Sequence, residues 1–188
     1  MKQHPIAIAL LALSAAAGAN EVNPIYVGAA VGQARYQCLY SGSCNEERAA
    51  SGKLYVGYIF VPVVSWSDMK LASSVELDAY RGAGAKLFSN QDWNASFKGV
   101  GALYKANLKA SEAFSLNAHL GMAYLETRFD SGFSSARGRF SPVGGLGLSY
   151  ALDKNWSITL DYDRFHLKFG APASQKAEML TIGAGYKF

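Results

Sequence analysis

Three histidines, His4, His119 and His166, are the only imidazoles in the 188-residue chain, and a hydrolytic site would have to be built on one of them. Such a site needs a base within hydrogen-bond reach of its nucleophile and an acid that orients the base. His119 shares its side of an alternating segment with Ser115 and Asn117, but local spacing places no acid beside it. The glycines of Gly144-Gly145-Leu146-Gly147 have the density of a phosphate loop. No helical pattern follows them and no Lys-Ser/Thr completes the motif, so close backbone approach is the stronger reading. Two cysteines, Cys38 and Cys44, lie six residues apart. In an exported protein that pair reads as a small disulfide loop, contributing roughly 2 kcal/mol by loop entropy. Metal binding is the rival, but two cysteines without a nearby histidine offer half of a zinc set. The reading therefore includes no catalytic residue, metal or cofactor.

Ionic chemistry is the richer signal. Glu76, Asp78, Lys105, His119 and Asp161 each fall on the small or polar side of a segment that alternates residue by residue with an apolar side. They become one polar network only if those segments close around them. The final stretch, Ala177 to Phe188, shows the pattern best: Leu180, Ile182, Ala184 and Tyr186 alternate with Met179, Thr181, Gly183, Gly185 and Lys187. A two-residue period means strand. Eight such segments can be cut from the chain. They are Ile25 to Tyr36, Lys53 to Val61 with Pro62 as its terminator, Ser73 to Lys86, Ser96 to Leu108, a fifth from Phe114, a sixth around Gly145 to Tyr150, a seventh from Trp156, and the last. Val63 to Ala72 is expected as a turn, and Ser89 to Ala95, Asp130 to Gly138 and Gly170 to Lys176 as polar loops. Arg81 interrupts an apolar side, which is tolerable only near a headgroup rim.

The N-terminus gives the address. Lys2, the apolar run Ile6 to Ala17 and the small residues Ala17-Gly18-Ala19 read as a secretory signal peptide over 1–19, leaving a single domain over 20–188. Without Lys2 the formal net charge of +4 becomes +3, too mild to argue for nucleic acid. No further run of 18 apolar residues follows, which excludes a helical membrane protein. Turns alternate in length, as in a meander with both termini at one end. Aromatic residues gather at segment ends: Phe114, Trp156, Tyr186 and Phe188 toward the short turns, Tyr36, Tyr124, Phe140 and Phe165 toward the loops, as two girdles would. A soluble barrel would hold its apolar face inside, whereas here the smaller face is too rich in glycine and charge for a core. The fold expected is an all-β, eight-stranded antiparallel up-and-down transmembrane β-barrel, closed because lipid tolerates no unpaired sheet edge.

Ser141-Pro142-Val143 to Leu152, Thr159 to Tyr162 and Met179 to Phe188, with Tyr26 to Ala29 and Gly57-Tyr58 upstream, resemble the transmembrane domain of the OmpA family. The resemblance implies the bacterial outer membrane, contact with its lipid and lipopolysaccharide, assembly by the barrel assembly machinery through the closing strand with Tyr186 and Phe188, and a monomer. It covers the barrel and does not extend to that family's periplasmic peptidoglycan-binding domain. It also implies a salt-bridge gate in the lumen, whose acidic and lysine members fall on Glu76 and Lys105. The arginine and second glutamate of that gate would stand at Thr159 and Ser149, a departure from the pattern. His166-Leu167-Lys168 lacks the His-x-Ser of lipid A deacylases of similar shape. The function expected is structural or surface-interacting, through loop candidates Tyr40, Phe133, Arg137, Arg139 and Lys176, with an unidentified host or surface ligand. A narrow gated channel for ions or small solutes is the alternative.

Overall fold

The computed structural model describes residues 24–37, 48–66, 69–88, 91–130, 134–168 and 174–188. Residues 1–19, expected as a leader, and Cys38, Cys44, Tyr40 and Phe133 lie outside these residues. Eight strands follow in order: β1 Ile25–Gln37, β2 Arg48–Trp66, β3 Met69–Phe88, β4 Gln91–Lys109, β5 Phe114–Asp130, β6 Ser134–Ala151, β7 Trp156–Lys168 and β8 Ser174–Lys187. Each pairs antiparallel with its sequence neighbour, and β1 pairs with β8 over Tyr26↔Lys187 to Gln37↔Lys176. The barrel is closed.

The alternation written in the sequence appears as an inversion of burial. Val31, Leu54, Leu77, Val100 and Leu120 are 61–68% exposed on the outside. Glu76, Asp78, Asp161 and Asp163 are buried inside, none more than 2% exposed. An exterior of Leu and Val around an interior of carboxylates is stable only if hydrocarbon, not water, surrounds the wall. Alternation along β8 follows the same rule, with Leu180 and Ile182 outward and Met179 and Thr181 inward.

Strands run longer than the sequence patterning indicates. Pro62 does not end β2: the chain passes through it to Trp66, and a register shift between Phe60 and Val64 absorbs the missing donor as a bulge. The expected turn over 63–72 is correspondingly reduced to a short connection between Trp66 and Met69. Most of the loop expected over 89–95 is β4, which begins at Gln91, and most of that over 130–138 belongs to the β5–β6 hairpin, paired as far as Asp130↔Ser134. Arg137, Arg139 and Lys176 therefore stand on strands rather than in loops. Polar composition suggests a loop, but ladder hydrogen bonds extend a hairpin regardless of side-chain polarity.

The tight turn after β6 is held by Asp153, whose Oδ1 accepts the backbone N–H groups of Trp156 and Asn155, each at 2.7 Å. Those donors keep its carboxyl below the usual carboxylate range. Asn155 Nδ2 in turn donates to the Lys187 carbonyl at 2.7 Å, tying the turn to the closing strand.

Candidate functional site

The bore is a stack of three layers. In the middle, Lys53 of β2 reaches across to β7, its Nζ 3.1 Å from Asp163 Oδ2 and 3.2 Å from Asp161 Oδ2. His119 of β5 places Nε2 2.7 Å from Asp163 Oδ1. These two strands are separated by β6, and the bridge exists because Gly145 pairs with both His119 and Asp163. A Cβ at Gly145 would collide with the His119 ring, and one at Gly147 with Asp161 and Asn117. The glycines that resembled a phosphate loop instead clear space for charged neighbours to meet.

Beside this cluster, Lys105 Nζ lies 3.3 Å from Glu76 Oε2, which also accepts the Tyr26 hydroxyl at 2.8 Å. Lys105 Nζ stands 5.7 Å from the centre of the Tyr55 ring. Asp78 is held by the Tyr80 hydroxyl at 2.5 Å. All five residues expected in a lumen network are inside and buried. Glu76 and Lys105 are a direct pair, while Asp161 and His119 are joined through Lys53 and Asp163. Lys53 and Asp163 are the members that sequence reasoning left out. Both stood on the inward side of their segments, so parity identified their face. Their level was the missing coordinate, because stagger between strands far apart in sequence decides which inward residues meet.

Above the charges, toward the long loops, the bore is filled by Tyr36, Tyr80, Phe97, Leu125, Phe165 and Met179, all buried. Ring centroids stand 6.0 Å apart for Tyr36–Phe97, 5.0 Å for Tyr80–Phe165 and 5.5 Å for Phe97–Phe165. Tyr36 and Phe165 are thus not girdle residues: both are wholly buried in this plug. Their inward parity overrides their position at strand ends. Tyr124 and Phe140 do face outward, 5.3 Å apart, and Trp156, Tyr186 and Phe188 form a chain of edge contacts at the short-turn end, 5.0 and 5.1 Å apart.

On the outer wall near the loops, Arg81 and Lys98 are register partners. Lys98 lies 3.3 Å from Glu126, and Arg128 lies 4.0 Å from the same carboxylate. Together they line a cleft of about 480 Å³. Arg81, placed near a headgroup rim by its cost elsewhere, is exposed on the outside and stands among these other charges. Arg164 and Glu178 form a looser pair at 3.9 Å on the opposite side.

Below the charged layers, short side chains leave a cavity of about 210 Å³ toward the short turns. Among the described residues no group of three His, Cys, Asp or Glu is placed to hold a metal. His119 has its Nε2 committed to Asp163 and its Nδ1 without a partner. The Ser141 hydroxyl engages backbone groups, accepting the His166 N–H at 3.1 Å and facing the His166 and Pro142 carbonyls at 2.6 and 3.3 Å.

The architecture is shared with solved outer-membrane proteins. Ail, the attachment invasion locus protein of Yersinia pestis, is 20% identical, with 89% of this chain and 100% of that chain covered at a TM-score of 0.60. Neisserial surface protein A is 16% identical, covering 90% and 100%, at 0.64. The outer membrane enzyme PagL is 13% identical, covering 87% and 99%, at 0.52. At these identities the likeness is one of fold. No curated protein matches the chain. The model of the outer membrane protein beta-barrel domain matches residues 6–188. With its eight closed strands, apolar exterior and ionic bore, the chain belongs to the outer membrane protein beta-barrel family and resides in the bacterial outer membrane.

Proposed function

We propose that this barrel serves the cell surface rather than transport or catalysis: a rigid, filled stave that presents its loop end to external ligands and contributes to envelope integrity. The observation that carries this reading is the aromatic and aliphatic plug over the ionic bore. A solute would have to displace at least Tyr36, Phe97 and Phe165 to pass, whereas a display scaffold gains from a packed interior.

The loop end has a form suited to recognition. β3 pairs with β2 only up to Gly82, and β6 pairs with β7 only from Val143 downward. Beyond those points β3, β4, β5 and β6 continue as a four-stranded sheet, paired to Phe88↔Gln91 and Asp130↔Ser134. Loops on a stiff platform are where recognition usually lies. Arg137 and Arg139 belong to this extension. Attachment, which the name of Ail states for that protein, is one form of such a role. The outward cations Arg81, Lys98 and Arg128 are suited to the phosphates of lipopolysaccharide. A monomer, exported by its leader and assembled through the closing strand with Tyr186 and Phe188, completes the proposal.

The test is adhesion. A non-adherent Gram-negative host expressing this chain should gain binding to epithelial cells or matrix, and lose it when the β3–β4 and β5–β6 hairpins are cut back to Gly82 and Val143 with short turns. Unchanged adhesion in a trimmed barrel that still folds would remove the sheet from the function.

A further inference from the structure

The cavity below the ionic layers has a chemistry that neither display nor packing uses. We propose that the short-turn mouth of the bore binds a small oxyanion of the phosphate class.

Its charged lining is of one sign: Lys105 at the floor, Lys109 and Lys187 toward the mouth, with no carboxylate among the residues that bound it. Hydroxyls complete it, from Ser115, Ser149, Ser157 and Thr159, contributed by three successive strands. Thr159 is 6% exposed, and its Oγ1 lies beside the Tyr55 hydroxyl without completing a hydrogen bond. A buried hydroxyl that lacks a full partner is unfavourable, and a bound acceptor would satisfy it. The two nearest acids are already engaged. Glu76 stands behind Lys105, its Oε2 shared between that ammonium and the Tyr26 hydroxyl. Asp161 faces Lys53 at 3.2 Å, one layer deeper.

Space also selects the ligand. About 210 Å³ admits a phosphate or sulfate with some of its water, or a phosphate monoester end, but not a polymer. Ammonium and hydroxyl donors converging from several strands suit an acceptor with oxygens on every side, as a tetrahedral oxyanion has. The mouth opens at the end bearing the chain's tight turns, opposite the plug, so the ligand enters from the periplasmic side.

The experiment is calorimetric titration of inorganic phosphate into the refolded barrel in a neutral detergent, with heat-modifiable migration as the control for folding. Wild type is expected to bind saturably. Lys109→Ala combined with Lys187→Ala should weaken binding about tenfold or more, since both ammonium groups at the mouth are removed. Thr159→Val, nearly isosteric, should weaken it several-fold. Lys154→Ala, a lysine in the neighbouring turn and outside the cavity, should change nothing. A second titration with micellar short-chain phosphatidic acid separates the sources: displacement by free phosphate assigns the site to a soluble anion, and tight binding that phosphate does not displace assigns it to a lipid headgroup. Absence of saturable heat with either ligand at tens of millimolar overturns the proposal. So does binding that survives the rim and Thr159 substitutions, or that falls equally in Lys154→Ala.

Discussion

Replacing Lys53 by methionine removes the one cation that two carboxylates share. The Lys53 and Asp163 side chains are fully buried and Asp161 is 1% exposed, so water cannot screen what remains. Asp163 keeps His119, but Asp161 loses its ammonium, and neither of its oxygens has another hydrogen-bond partner. Breaking one partner out of a buried pair costs about 3–5 kcal/mol, because a desolvated charge is left uncompensated. Lys98→Met is the matched control. Lys98 is also paired with a carboxylate, at 3.3 Å, but is 63% exposed, and exposed pairs are worth about 0–1 kcal/mol. Both variants would be refolded into detergent micelles and unfolded in guanidinium, followed by tryptophan fluorescence. Adding Asp161→Asn to Lys53→Met should recover about 0.5–3 kcal/mol, the coupling expected of contacting groups. A Lys53→Met midpoint no lower than that of Lys98→Met would refute the claim that the lumen charges hold one another in place.

Other outcomes follow from the same geometry. Gly147→Val drives a side chain onto Asp161 and Asn117 and should lower stability by about 1–3 kcal/mol, whereas valine at the outward neighbour Leu148 should cost less; unfolding midpoints compare them. Asp153 has a depressed folded pKa, so its stabilisation is present above the ordinary carboxylate range and lost as pH falls through the folded value. Asp153→Ala should therefore be less stable than wild type at neutral pH, with the difference closing in acid; a gap that persists at low pH would detach it from ionisation. The Cys38–Cys44 ring, expected from the sequence, should reveal itself as a gain of two hydrogens in intact mass on reduction, with a stability loss of roughly 2 kcal/mol. Free thiols in the periplasmically folded protein would remove it.

Strand parity carried most of what could be read in advance. It placed Leu54, Leu77 and Leu120 outward and Glu76, Lys105 and Asp161 inward without any long-range information, because one residue of slip would exchange every face. The eight-strand closure and the membrane followed from the same alternation. Parity could not assign heights. Lys53 and Asp163 are 110 residues apart, and their meeting depends on the accumulated stagger of the strands between them. Position along a strand misled twice, for Tyr36 and Phe165, where proximity to a loop suggested a girdle and alternation indicated the interior. Pro62 failed as a terminator because a bulge can absorb a missing donor. The cavity at the short-turn end is legible only in part: Ser149 and Thr159 stand out as short residues at positions where the resemblance sets long charged ones, but the space they leave depends on every other strand.

The filled bore is the central claim, and planar-bilayer conductance of the refolded barrel tests it most directly. The account predicts a silent bilayer for wild type, and for Glu76→Ala and Lys105→Ala, because the plug of Tyr36, Phe97 and Phe165 stands regardless of that ion pair. Discrete openings in wild type, altered by either substitution, would contradict it and establish a gated channel.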